Sequence, residues 1–347
     1  MDSFEYEKNP LDPLAGLVGS IQYIKSVLDV IWFENIGANN MTTKTKQFNR
    51  SIICCYLYII SKYGYPPPAE KIFDYLKKMK ALGFQSVELE GIREEQLMKM
   101  YEMREDTKNM IDKLELEVPY FCVILPGLSS ADKSEQEQNL HLFEKGCEIA
   151  YLLNAKGVLD NAPLPPYQFP SNIPVVRHYD EEILMAASFP VKLNWQQYWN
   201  VLIETYRSAC DIAANYGLTY HMHPCLGVLS ATTDGFLYFY DAVGRDNLRF
   251  NLDTANQYLL KDNLMLSLQR LGQYIDYIHI SDNGGFKVEH LNPGDGTIHW
   301  DIFFETLKKI NFKGNIGLDV GGEESDIKNI DEVYVKAAEW LTSIWIS

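Results

Sequence analysis

SIICCYLYIISKYGYPPPAEKIFDYLKKMKALGFQSVELE, residues 51–90, is the stretch on which the fold turns. Its first ten residues are β-branched, aromatic and apolar, and read as a short buried strand. Pro66, Pro67 and Pro68 then open a helix, AEKIFDYLKKMKAL, whose apolar positions recur every three or four residues and which Gly83 stops. FQSVELE follows as a second strand. Strand, helix and strand in that order imply parallel pairing. An open, doubly wound sheet that binds a nucleotide would carry a Gly-rich turn after the first strand. Here that turn reads SKYGYPPP, and neither GxGxxG nor the P-loop pattern occurs in the chain.

The same unit repeats outward from this stretch. Further strands are expected at YFCVILPG (120–127), KGVLDN (156–161), LTYHMHP (218–224), LRFNLDTAN (248–256), YIDYIHISD (274–282) and NIGLDVGG (315–322). Helical patterns separate them near 95–114, 134–154, 195–216, 234–243, 264–272 and 300–310, and the chain closes with DEVYVKAAEWLTSIW. Eight strand–helix units predict an α/β fold, a (β/α)8 TIM barrel, over residues 49–347. Residues 1–48, with helix-like spacing at 12–36 and a polar tract beginning at Gly37, read as an N-terminal helical extension of the barrel. The loop from 161 to 178 is long and Pro-rich, the kind that forms a lid or stays irregular.

Composition narrows the function. A net charge of −16 without a basic run opposes tracking a phosphate backbone, so nucleic acid is not the expected partner. SIICCYLYII is too short to span a bilayer, which takes about 20 apolar residues. The N-terminus MDSFEYEKNP lacks the pattern of a secretion signal. Six scattered cysteines with no CxxC pair predict buried thiols in a reducing compartment. A cytoplasmic enzyme follows as the expectation, with assembly into a homo-oligomer left open.

In such a barrel, chemistry sits at the C-terminal ends of the strands. There the chain places Glu88 and Glu90 on strand two, and His221 and His223 on strand five. Strand six ends in Asp253, strand seven in His279 and Asp282, and strand eight in Asp319. Each has an ordinary reading alone: a hydrogen-bonded core histidine, a capping Asp253, loop chemistry for Asp282 in SDNGG, a turn for Asp319. Together they put metal-capable groups on four successive strands at one level. A shared divalent cation would offset the cost of burying those carboxylates. A mixed N/O set suits Mn²⁺, Zn²⁺, Co²⁺ or Fe²⁺ better than Ca²⁺, with Mg²⁺ also admissible.

From about residue 50 onward the chain resembles the sugar phosphate isomerase/epimerase group of xylose isomerase-like TIM barrels, which includes inosose dehydratases and, more distantly, endonuclease IV. LGFQSVELEG, YHMHP, NLDTAN, HISDN, PGDGTIHW and KGNIGLDV carry the resemblance. It implies one divalent metal ion held by His221, Asp253, His279 and Asp319. His221 stands where glutamate is usual, as in the dehydratase branch, and Asp319 is one methylene shorter than the usual glutamate. Asn256 replaces a common histidine. The implied activity is isomerisation or epimerisation of a ketose or aldose through a metal-stabilised enediolate, with Asp319, Glu88 or Glu90 as the base. The alternatives are a metal-dependent lyase or dehydratase acting on a keto-sugar or keto-cyclitol, and a sugar-binding barrel without catalysis. The expected partner is a small-molecule carbohydrate. His223, Asn256, Asp282, His290 and Arg177 are the candidates for substrate contact, and Trp300 is expected to anchor its helix. Endonuclease IV chemistry is disfavoured, because it needs a three-zinc cluster with more histidines.

Overall fold

The computed structural model describes residues 47–161, 163–169 and 181–345. Among these residues nine strands are present: β1 (Ile52–Cys54), β2 (Ser86–Val87), β3 (Leu89–Ile92), β4 (Tyr120–Ile124), β5 (Gly157–Asn161), β6 (Thr219–His223), β7 (Leu248–Asp253), β8 (Tyr277–Ile280) and β9 (Asn315–Leu318). All pair in parallel, in the order β2-β1-β9-β8-β7-β6-β5-β4-β3. β2 and β3 are two pieces of one stave, parted at Glu88. β2 pairs with β1 and β3 with β4, so this stave joins the two ends of the order and closes an eight-stave barrel. At the break the Glu88 amide still donates to the Cys54 carbonyl, at 2.9 Å.

The fold is the expected (β/α)8 barrel, with helices following each stave. Helix Trp195–Asn215 shows why: Tyr198, Leu202, Tyr206, Ala209 and Ala213 fall on one buried face. Asn194 caps its start by accepting from the Gln197 amide. Gly83, with φ of 101°, stands just beyond helix Ile72–Ala81, where the left-handed region favours glycine.

Several expectations change in detail, among them the strand expected over 248–256, which ends at Asp253 and passes into helix Thr254–Leu259. SIICCYLYII is not one strand but β1 followed by helix Leu57–Tyr63, because a run that is apolar all round has no period to separate strand from helix. The helix expected over 95–114 is two, Arg93–Glu102 and Arg104–Lys113. A short helix, Glu181–Ala186, was not anticipated. The proposed N-terminal extension lies outside the described residues except for Gln47 and Phe48, and Phe48 packs on Phe84 with ring centroids 5.2 Å apart. The stretch 170–180, including Arg177, is likewise outside them. All six cysteines are buried. Among the described residues no helix is long and apolar enough to cross a membrane.

Candidate metal centre at the barrel mouth

Parallel staves send alternate side chains inward. On β6 the inward residues are His221 and His223, as the spacing predicts, but they serve different levels. β6 runs to His223, which lies opposite Asn161, whereas His221 lies opposite Leu159. Two residues along a strand are roughly 6.6 Å apart, and here the two rings turn to different partners.

The upper residue is the one that joins the cluster. His223, Asp253, His279 and Asp319 bring potential ligand atoms to within 4.8 Å of one another, and all four are buried. His223 Nε2 lies 3.2 Å from Asp253 Oδ2, and His279 Nδ1 is 4.0 Å from Asp253 Oδ2 and 3.9 Å from Asp319 Oδ2. His221 is therefore not part of the set. Its Nε2 pairs with Asp276, in the loop before β8, and its Nδ1 lies 3.2 Å from the Val158 carbonyl oxygen. Its ring meets Tyr120 edge-on at 5.0 Å, and Tyr120 in turn stacks on Tyr277 at 4.0 Å. These three rings form a layer below the cluster.

Asp253 has both roles considered for it. Its Oδ1 accepts from the Asn256 amide at 2.7 Å and caps the next helix, while Oδ2 faces the histidines. Burial pushes its carboxyl pKa upward, but the hydrogen bond and charge of His223, with His290 and His279 nearby, bring it below the usual range. His223 moves the other way: burial lowers its pKa and outweighs Asp253, which favours neutral imidazole. His279 is pulled down by burial, yet Glu88, Asp319 and Asp253 raise it to about 9.

The two glutamates of stave two take different partners, although their carboxylates and Cys122 Sγ lie within 4.8 Å of one another. Glu88 is buried beneath the cluster and does not face the mouth: its Oε2 lies 3.0 Å from His279 Nε2 and accepts from the Tyr277 hydroxyl at 2.7 Å. Its carboxyl is depressed although burial opposes this, because His279 and Tyr277 favour the anion. The expectation that Glu88 acts as a base on substrate is corrected accordingly. Glu90 does line the mouth cavity, with His223, His279 and Asp319 among its neighbours there.

Asp282 is also reassigned, from substrate contact to loop architecture. Its Oδ1 accepts from the Asn283 and Ile298 amides and its Oδ2 from the Gly294 amide and Trp300 Nε1, at 2.7–3.1 Å. The side chain is committed to holding the 283–299 loop, and Trp300 anchors its helix through it. His290 is buried, with Nδ1 2.9 Å from Glu324 Oε1 and Nε2 3.8 Å from Asp319 Oδ2, so it stands behind Asp319. Asn256 is buried, and its Nδ2 has no hydrogen-bond partner among the described residues. Asp276, Tyr277 and Glu324 were not singled out from sequence. Asp276 and Glu324 sit in loops, where nothing in the pattern marks them.

The donor set fits a metal on its own terms. His223 Nδ1 and His279 Nδ1 are buried without a hydrogen-bond partner among the described residues, an uncommon condition for polar atoms. Glu88 is anionic and can only accept, so His279 Nε2 must carry a proton, leaving Nδ1 as the atom that faces the two aspartates.

Comparison with known proteins agrees with this architecture. The solved structures it resembles include 3-keto-D-glucoside 4-epimerase from E. coli (TM-score 0.64, 17% identity, 85% of this chain and 100% of that one). D-allulose 3-epimerase from Methylomonas sp. matches with a TM-score of 0.65 at 16% identity, over 87% and 100%. A probable 3-DHS dehydratase from Bacillus anthracis matches with 0.60 at 16%, over 84% and 98%. At these identities the likeness is one of fold. Among curated sequences, an inosose isomerase of Bacillus velezensis is 29% identical over 146 residues, 40% of this chain and 51% of the relative. An uncharacterised protein of Methanocaldococcus jannaschii is 27% identical over 149 residues, with the same shares. The match thus spans about half the length of each curated relative. The model of the xylose isomerase-like TIM barrel family matches residues 76–344, from the first outer helix to the last, and the chain belongs to that family.

Proposed function

We propose that this protein is a divalent-metal-dependent isomerase or epimerase of a ketose or aldose. The observation that carries the proposal is the cluster of His223, Asp253, His279 and Asp319 at the C-terminal mouth, with two buried imidazole nitrogens that have no hydrogen-bond partner among the described residues. Two imidazoles and two carboxylates suit Mn²⁺, Zn²⁺ or Co²⁺, with Mg²⁺ also admissible. A divalent ion held by His223, Asp253, His279 and Asp319 would supply Lewis-acid polarisation of neighbouring sugar oxygens, which would acidify the adjacent C–H.

The remaining work falls to the protein's own groups. Ile124, Leu159 and Cys122 give the cavity an apolar wall that limits water beside the reacting carbons. Glu90, on the same cavity and outside the four-residue set, is the group placed to take a proton at its carboxylate and return it to the neighbouring carbon. Epimerisation needs a second base on the other face of the sugar, and Asp319 is the carboxylate available. His223, neutral at working pH, occupies the place where a further carboxylate would make the site symmetric. That asymmetry supports a second reading, elimination of water from a keto-sugar or keto-cyclitol by the single base Glu90.

The test is solvent exchange. Mn²⁺-loaded protein is incubated with a panel of ketoses, aldoses and keto-cyclitols in D₂O and followed by NMR and mass spectrometry. The proposal expects deuterium at the carbon beside the carbonyl and a product of otherwise unchanged mass. Glu90→Gln should lose about 10²- to 10⁴-fold in rate while still holding metal. Loss of water would establish the lyase reading. Metal uptake without exchange into any substrate would refute both.

A further inference from the structure

We propose that Glu88 is a positioning residue which, with Tyr277 and the space left by Gly317, fixes His279 so that Nδ1 faces the cluster, and thereby sets the cluster's affinity for a divalent ion. This rests on the metal reading above, and concerns residues outside the four-residue set.

The apparatus begins with the break in stave two. The ladder to β1 ends and that to β4 begins around Glu88, whose amide stays satisfied by Cys54, while Ser86 already bridges Glu117 in the segment before β4. The side chain crosses the barrel interior to His279, 191 positions away in sequence. There Oε2 meets both His279 Nε2 at 3.0 Å and the Tyr277 hydroxyl at 2.7 Å, and Oε1 lies 3.4 Å from the Tyr56 amide. Tyr277 is fixed in turn, stacked on Tyr120 at 4.0 Å and set perpendicular to the His279 ring at 4.8 Å.

Gly317 is the third part. A Cβ at this position would lie 2.5 Å from Cys55 Sγ, 2.6 Å from the Tyr277 hydroxyl oxygen and 3.2 Å from His279 Cδ2. A side chain on β9 would thus displace the hydroxyl that orients Glu88. Glycine here keeps the relay in register.

A fully buried carboxylate is a poor stabiliser, and an apolar residue of similar size generally serves a core as well or better. What the anion does at this place is dictate a tautomer. Because Glu88 can only accept, the neutral imidazole carries its proton on Nε2 and presents a lone pair at Nδ1. Partners of this kind behind a ligating histidine typically govern affinity by about 10- to 100-fold.

The experiment compares wild type with Glu88→Leu, Glu88→Gln and Tyr277→Phe in the full chain. Zn²⁺ affinity is measured by competition with a chromogenic chelator, and the His279 tautomer by long-range ¹H–¹⁵N correlation at pH 10 without metal. Glu88→Leu is expected to bind Zn²⁺ about 10- to 100-fold more weakly and to lose the Nε2–H preference. Glu88→Gln, whose amide oxygen still accepts, should keep much of that preference and bind with intermediate affinity. Tyr277→Phe should weaken binding less than Glu88→Leu. Affinities within twofold of wild type in folded Glu88→Gln and Tyr277→Phe would overturn the inference. Weaker binding with the tautomer unchanged would also overturn it, by showing a merely structural role. Were wild type itself to take up no Zn²⁺, the metal reading would fail, while the tautomer of Glu88→Leu and Glu88→Gln would still decide whether Glu88 orients His279.

Discussion

His221 and His223 point the same way from one strand, yet alanine at the two positions should have different consequences. His221→Ala removes a ring that pairs with Asp276, lies 3.2 Å from the Val158 carbonyl and packs edge-on against Tyr120. Lost buried hydrogen bonds cost about 1 kcal/mol each, and the vacated space in a packed layer adds a cavity cost of roughly 2–3 kcal/mol. Asp276 is partly exposed, so water recovers some of its loss. The sum is about 3–5 kcal/mol, a drop of roughly 5–10 °C in melting temperature for a chain of this size. Metal affinity should stay within about threefold. His223→Ala removes a member of the cluster instead. Sharing the roughly 10–16 kcal/mol of a four-ligand site equally gives about 3 kcal/mol per ligand, on the order of 100-fold in affinity. Its metal-free melting temperature should fall as well, because buried Asp253 loses the His223 Nε2 contact at 3.2 Å, so metal affinity is the quantity that separates the two variants. Equilibrium dialysis against Mn²⁺ or Zn²⁺, with melting curves of chelated and loaded samples, measures both quantities. Loss of metal in His221→Ala with retention in His223→Ala would refute the reasoning.

Further outcomes follow from the same geometry. His279, raised from its unfolded value near 6.5 to about 9, contributes stability that is full below pH 6.5 and fades as pH rises through about 9, roughly 3 kcal/mol in all. Chelated protein should therefore melt lower at pH 9.5 than at pH 7, and a fall of less than 2 °C would contradict this. Metal binding must release that proton, so affinity should climb about tenfold per pH unit between 6.5 and 9, seen as buffer-dependent heats in titration calorimetry. Asp282→Ala strips four donors of their acceptor, and at about 1.5–3 kcal/mol for the strongest such bonds should destabilise by about 3–5 kcal/mol in urea unfolding while sparing Zn²⁺ affinity in the folded state. Glu90→Gln should instead leave the melting temperature within about 2 °C of wild type, since the side chain faces the cavity.

The architecture was legible because parallel staves demand long apolar runs between helices, and each of the eight expected runs overlaps a stave, though several strands end well short of the expected C-terminal boundary. SIICCYLYII carried the right location but hid a helix, since Leu57, Tyr58, Ile59 and Ile60 are as buried as the strand before them. Parity on β6 was also legible: both histidines do face inward. Their height was not. Which of two same-face residues meets Asp253 and His279 depends on how far each stave is staggered against the next, a property of barrel closure that alternation along one strand does not encode. Glu88 and Glu90 show the same limit: two residues apart on one stave, the first turns to His279 and Tyr277 while the second lines the mouth cavity. Asp282 illustrates another: SDNGG is loop chemistry in sequence, and its four donors come from residues up to 18 positions away.

The central claim is that His223, Asp253, His279 and Asp319 together hold one divalent ion. Crystals grown with Mn²⁺, with diffraction collected to record the anomalous signal of manganese, test it most directly. The account predicts a single strong anomalous peak bounded by these four side chains, with His279 contributing Nδ1 and His221 still joined to Asp276. A peak beside His221, or no peak in the barrel at saturating Mn²⁺, would contradict it.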